Sequence, residues 1–239
     1  MNRITKVFND LLDFAFPSHC FSCSRAVEGG KLICDDCKKL LENVKTKICI
    51  KCGRTIKKCD CNRYVYHFSG VCAPFFNEGI AKNGLYRLKF SGQHAIAPFY
   101  ADAMIEAMAK NYFDIKFDGI VFVPMSPLKN FFLGYNQAEW LAQSISEKTG
   151  IPLIDGILYR RIFTKTQHKS KGIIKRFLNA FKSYKHKGTL NGGIYLLVDD
   201  IKTTGASLDA CAKELLYAGA DEIFCVTALI SNKTVEKNS

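Results

Sequence analysis

Eight cysteines lie between Cys20 and Cys61 in four close pairs, and no other feature limits the fold of this chain so strongly. The first set is Cys20-x2-Cys23 followed by Cys34-x2-Cys37. The second is Cys49-x2-Cys52 followed by Cys59-x-Cys61. Residues 18–62 are rich in Lys, Asp and Gly and carry few large apolar side chains, so this stretch cannot build a core without a staple. Asp10 and Asp13 interrupt Met1–Phe16, which therefore lacks the uncharged apolar run of a secretory signal, and no run reaches transmembrane length. These observations predict a cytoplasmic protein, and a reducing compartment favours metal over disulfides. Two Cys-x-x-Cys knuckles complete a tetrahedral zinc shell and leave no open position, which makes such a site structural. The expectation is one or two structural zinc ions on Cys20, Cys23, Cys34, Cys37 and on Cys49, Cys52, Cys59, Cys61. The Cys-x-Cys end of the second set is a looser signal. Redox-active thiols and an iron–sulfur cluster are the alternatives, and nothing nearby favours either. Separate sites and a cross-braced pair both stay open. Cys72, Cys211 and Cys225 fall on predicted strands or helices and read as core residues.

The rest of the chain alternates strands with helices. Apolar spacing predicts a short helix over Ile4–Phe16, ended by Pro17. Tyr64–Phe76 reads as strand, Glu78–Lys89 and Ala95–Lys110 as helices, and Gly119–Pro124 as a buried strand. A helix over Asn136–Lys148 precedes a short strand at Ile151–Ile154. Thr164–Arg176 is polar, basic and weakly periodic and reads as a mobile loop, with helix as the alternative towards its end. Gly193–Asp199 is the clearest buried strand, Gly205–Ala218 a helix stopped by Gly219, and Glu222–Ile230 a final strand. This order argues for a parallel α/β sheet flanked by helices. The predicted organisation is an N-terminal helix and cysteine module over 1–63, the α/β domain over 64–232 and a loose tail over 233–239.

The 34 Lys and Arg against 22 Asp and Glu give a formal charge of +12, which favours phosphates, nucleic acid or acidic surfaces as partners. Solubility alone is the plainer reading. Residues 1–72 hold 13 basic and 7 acidic residues. Eight thiolates and two zinc ions would lower that segment to +2 and the chain to +8.

The chemistry concentrates at Gly193–Ser207. An apolar strand ends in Asp199 and Asp200, and Thr203, Thr204, Gly205, Ala206 and Ser207 then lead into a helix. In open α/β sheets ligands bind beyond the carboxyl ends of strands. Small and hydroxyl residues at a helix start let a phosphate approach, and the helix dipole favours its charge. The two carboxylates suit ribose hydroxyls or the waters of Mg²⁺. An ordinary capped strand–loop–helix junction is the alternative, but it does not call for two acids and five small or hydroxyl residues in this order. Lys202 fits either a solvated position or a phosphate contact.

The run Val198-Asp-Asp-Ile-Lys-Thr-Thr-Gly-Ala-Ser207 resembles the phosphoribosyl diphosphate signature of type I phosphoribosyltransferases. From about Leu11 to Ile230 the chain resembles the ComF family of ComFC- and GntX-like proteins. The resemblance is carried by Leu11-Leu-Asp-Phe-Ala-Phe-Pro17, the cysteine module, Leu88-Lys-Phe90 before Gly92, Val123-Pro124, Gly134-Tyr-Asn-Gln137, Thr164, Thr166-Gln167 and Arg176-Phe-Leu-Asn-Ala-Phe181. It implies a type I phosphoribosyltransferase fold binding phosphoribosyl diphosphate with Mg²⁺. Asp199 and Asp200 would meet the ribose or the metal, and Thr203–Ser207 the 5′-phosphate. The loop after Val123-Pro124 would lie near the diphosphate, and Thr164–Arg176 would form a covering loop. Leu133 stands where the family often carries a basic residue, leaving Lys129 as the cation of that stretch.

Two functions follow from the resemblance and the charge. As an enzyme, the chain would hold the ribosyl group while Arg176, with Lys89 or Lys129, neutralises the departing diphosphate. As a binding protein it would serve DNA uptake, taking single-stranded DNA or a DNA-uptake protein as partner. Phe131, Phe132 and Tyr135 near Lys129, and Phe177, Phe181 and Tyr184 near Arg176, Lys182 and Lys185, suit base stacking. Core packing explains the same aromatics, and Tyr86 and Trp140 read as packing residues. His67, His94, His168 and His186 have no carboxylate or thiol partner legible in the sequence.

Overall fold

A computed structural model describes residues 18–27, 29–41, 48–59, 61, 64–161 and 173–231. The N-terminal helix and the C-terminal tail lie outside the described residues, as does most of Thr164–Arg176. The elements are β1 (Ser18–His19), β2 (Ala26–Val27), α1 (Asp35–Lys39), β3 (Gly70–Cys72), β4 (Phe75–Phe76), α2 (Gly79–Phe90) and α3 (Ala97–Asn111). They continue with β5 (Gly119–Phe122), α4 (Pro127–Leu133), α5 (Gln137–Thr149), β6 (Leu158–Arg160), α6 (Ile173–Ser183) and β7 (Tyr184–His186). The last are β8 (Ile194–Lys202), α7 (Ala206–Tyr217) and β9 (Glu222–Ile230).

The central sheet runs β3-β9-β8-β5, with β4 also on β9, and every pair in it is parallel. The strands are short apolar runs buried on both faces, as parallel strands between helices require. Alternation along β8 divides the core. Leu196 and Val198 join Leu85, Leu88, Met104, Leu141 and Ile145 of α2, α3 and α5 on one side. Tyr195 and Leu197 join Leu208, Cys211 and Leu215 of α7 on the other.

The cysteine segments pack directly on this framework. Phe21, 1% exposed, stands within the first knuckle and packs against Phe99 and Tyr100 of α3, with ring centroids 5.1 and 6.3 Å away. The second knuckle lies against the β3 edge, where Val71 N–H donates to the Ile50 carbonyl at 2.8 Å.

Several expectations shift. Only Gly70–Cys72 and Phe75–Phe76 of the predicted Tyr64–Phe76 strand join the sheet. His67 N–H donates to the Asp209 carboxylate at 2.6 Å instead of to a strand. Pro74, which has no N–H, separates β3 from β4. Ile151–Ile154 reduces to a single bridge from Leu153 to Ile120. β6 and β7 form an antiparallel pair, with α6 between them in the chain, that lay hidden in the basic region. Helix α5 matches its prediction because Asn136 accepts from Ala138 N–H as its cap and Gly150 (φ 74°) ends it. Among the described residues no helix is long and apolar enough to cross a membrane.

Candidate functional site

The eight knuckle cysteines form two separate clusters. Cys20, Cys23, Cys34 and Cys37 converge in one, and Cys49, Cys52, Cys59 and Cys61 in the other, with the sulfurs of each within 4.8 Å of one another. The Sγ–Sγ separations are 3.7 Å for Cys23–Cys34, 3.5 Å for Cys49–Cys61 and 3.8 Å for Cys52–Cys59. A tetrahedron with zinc–sulfur bonds of about 2.3 Å spaces its sulfurs by about 3.8 Å, so both clusters fit the ion. Each closes on four thiolates, which makes the role structural, and the cross-braced alternative does not apply.

The second constellation lies at the end of β8. The strand runs three residues beyond its predicted end, through Asp199 and Asp200 to Lys202, because pairing continues to Lys202–Ile230. The two acids are thus residues of the strand, and alternation sends their side chains to opposite faces. Asp199 lines a cleft of about 40 Å³ with Lys202, Thr203, Thr204, Gly205, Ala206 and Ser207. Burial, and then the adjacent Asp200 charge, hold its carboxyl well above the usual carboxylate range. Asp200 points towards α2, where the Lys89 ammonium donates to its Oδ2. Burial works against the Lys89 charge, but Asp200 and Asp199 outweigh it and raise its pKa.

The turn after β8 depends on Gly205. Its φ is 87°, and a Cβ there would stand 3.1 Å from Lys202 Cε and 3.4 Å from Tyr66 Cε1. Gly205 caps α7 without a side chain, and Ala206 N–H donates to Thr204 Oγ1 at 3.3 Å. Burial pushes the Tyr184 phenol up, and the nearby Ser207 hydroxyl opposes that rise. Lys202 is 1% exposed and lies 5.9 Å from the Tyr66 ring centroid, so the solvated reading of that residue is corrected. Its stem packs under the Gly205 turn.

The Gly134–Gln137 segment serves the same site from behind. Tyr135 Oη and Gln137 Nε2 donate to the Lys89 carbonyl at 3.2 and 3.4 Å. Asn136 Nδ2 donates to the Val123 carbonyl at 3.0 Å. The motif ties the last turn of α2, the end of β5 and the start of α5 together.

Residues 11–73 match a family profile described as a double zinc ribbon domain. The competence protein ComFC of Streptococcus pneumoniae is 29% identical over 196 residues, covering 80% of this chain and 84% of the relative. The competence protein ComFC of Bacillus subtilis is 27% identical over 206 residues, covering 78% and 79%. The competence protein F of Haemophilus influenzae is 32% identical over 144 residues, covering 58% and 63%. Over about four-fifths of its length the chain is similar to ComF competence proteins. Its described residues form a parallel α/β sheet flanked by helices, with a double zinc-ribbon module at the N-terminal side.

Within this chain the expected site residues do not all converge. Asp199, Asp200, Thr203–Ser207 and Lys89 gather at the end of β8. Lys129 stands exposed on α4, whose Ser126 cap accepts from its N–H. The Arg176 side chain lies outside the described residues. Phe131 and Phe132 are exposed, whereas Tyr184 is core, 3% exposed, and Tyr135 stacks on Trp140 at 4.4 Å. Tyr86 is 42% exposed, since it shares the solvent face of α2 with Lys82. Two histidines find partners invisible in the sequence. His67 Nδ1 meets Asp209 at 3.1 Å, and His186 Nδ1 meets Glu214 at 2.8 Å. Tyr66 and Tyr184 are the site neighbours that sequence reasoning missed, because both arrive from elements distant in the chain.

Proposed function

We propose that this ComF-like protein binds phosphoribosyl diphosphate with Mg²⁺ at the end of β8 and transfers its phosphoribosyl group to an acceptor. The reading rests chiefly on the Asp199–Ser207 run, where an acid-lined cleft continues into a glycine-capped helix start. The Thr203–Ser207 turn and the first N–H groups of α7 receive the 5′-phosphate. Asp199 and Asp200 accept hydrogen bonds from the ribose hydroxyls or from metal-bound water, and their hard oxygens suit Mg²⁺. The ion, when bound, neutralises charge on the diphosphate. Lys89 meets the diphosphate end, with Lys129 and Arg176 as further cations. Catalysis then consists of holding the ribosyl group and stabilising the leaving group, without a protein nucleophile. The test is calorimetric titration with phosphoribosyl diphosphate and Mg²⁺, followed by an assay of diphosphate release with candidate acceptors. Binding without release for any acceptor refutes transfer, and no binding refutes the site.

A role in DNA uptake is supported by the names of the relatives, which include DNA utilization proteins of Salmonella typhimurium and Escherichia coli. Two observations favour single-stranded DNA as the partner. Phe131 and Phe132 are 84% and 80% exposed beside Lys129. Between Asp155 and Asp199 the chain carries ten Lys and Arg and no acidic residue. Such a segment attracts phosphates, and exposed aromatic rings stack bases. A mixed-sequence oligonucleotide should bind with steep salt dependence and weaken in F131A/F132A. Undetectable affinity at low salt rejects this partner.

A further inference from the structure

Lys89 and Asp200 form an ion pair between elements far apart in sequence, with side chains 26% and 12% exposed. The lysine is not loosely placed. Its carbonyl is held by Tyr135 and Gln137. Tyr135 is in turn stacked on Trp140, and Gln137 is 1% exposed. The ammonium therefore reaches Asp200 from a fixed backbone. A mostly buried ion pair is hard to open from one side, because each charge then loses its compensation.

We propose that Lys89 is an internal counter-ion that keeps free divalent cations off Asp200 and yields only to a ligand carrying an anionic group for its ammonium. This rests on the ribosyl diphosphate reading above. A bare cation that displaces Lys89 leaves a partly buried ammonium without its Asp200 partner. A ribosyl 5-phosphate supplies hydroxyls for Asp200 but nothing for Lys89, since its phosphate occupies the turn at Gly205. A diphosphate at C1 supplies both exchanges at once: hydroxyls or metal-bound water go to the carboxylate and phosphate oxygens to the ammonium. Lys89 would thus determine specificity for the doubly phosphorylated sugar.

The test uses the full zinc-loaded chain as wild type, K89M and K89M/D200N. Mn²⁺ alone is titrated and its free fraction read by electron paramagnetic resonance. The expected result is tight binding in K89M, at least about tenfold above wild type, and its loss in the double variant. Equal binding by wild type and K89M overturns the proposal. In a second arm, calorimetry compares phosphoribosyl diphosphate with ribose 5-phosphate, both with Mg²⁺. Wild type should prefer the diphosphate by about a hundredfold or more, and K89M should reduce that preference at least about tenfold. An unchanged preference also overturns it. If neither protein binds any ribosyl phosphate, the functional reading fails, and the Mn²⁺ arm still decides the counter-ion role. K89Q, of similar length, replaces K89M in both arms should the methionine variant lose its helical circular dichroism.

Discussion

Replacing Phe21 by alanine tests whether the first zinc ribbon is part of the core. The ring stands between two ligands, Cys20 and Cys23, and its main-chain N–H donates to the Leu32 carbonyl at 2.9 Å. It lies on the α2 backbone so closely that a Cβ on Gly84 would come within 2.5 Å of Phe21 Cδ2. Truncating a buried Phe removes its transfer free energy and leaves a cavity, about 3–5 kcal/mol in all. For a chain of this size each kcal/mol shifts Tm by about 2–4 °C, so F21A should melt about 6–20 °C lower. The assay is thermal unfolding followed by near-ultraviolet circular dichroism, repeated after zinc removal by a chelator. Phe21 docks only while its knuckle is formed, so chelation should lower the wild-type Tm by more than it lowers that of F21A. A Tm within about 2 °C of wild type, or equal chelator shifts in both proteins, would refute the reasoning and make the ribbon an independent appendage.

The remaining predictions concern individual contacts. Gly84→Ala should destabilise by about 1–3 kcal/mol by overpacking, although alanine favours helix, because its Cβ meets both Phe21 and the Tyr100 hydroxyl at 2.5 Å; a rise in Tm rejects the close approach. Gly205→Ala should cost about 1–2 kcal/mol from its φ of 87° and should weaken ribosyl phosphate binding, checked by melting and calorimetry together. Glu214 is buried and holds Lys185 and His186 at 2.8 Å; burial opposes its charge, but these partners prevail and lower its pKa. Its stabilisation is therefore present above the ordinary carboxylate range and lost as pH falls through the depressed folded value. Glu214→Gln should cost about 1–3 kcal/mol at neutral pH, and the difference should shrink in acid melts. Metal analysis should return two zinc ions per chain, and Cys49→Ser should remove one of them.

Strands β5, β8 and β9 and helices α2, α3, α5 and α7 were legible because each carries its own local signal. Asn136 caps, Gly150 stops, and the run Ile194–Val198 is apolar without interruption. The pairing of β6 and β7 was not, since its partners lie 28 residues apart at Leu158 and His186 and each strand is three residues long. The Thr203–Ser207 turn and the zinc ligands are contiguous motifs, so spacing alone located them. The faces of Asp199 and Asp200 were hidden by the strand's continuation to Lys202, which only pairing with β9 reveals. Lys89 was named as a cation, but its engagement with Asp200 depends on the α2–β8 packing. The contact between Tyr66 and Gly205 spans 139 positions and has no periodic trace.

The hydrogen bond from Val71 to Ile50 has a consequence for the fate of metal-starved chains. β3 is the outermost strand of the sheet, and a strand at that position offers a template for pairing with another molecule. The second ribbon shields it, and the turn at Gly53 presses on Val71 and Ile230 from the same side. Loss of zinc would therefore alter colloidal behaviour as well as folding. A chain that has lost its second ion bares a ready seam for self-association, so scarcity of the metal would be met first as precipitation.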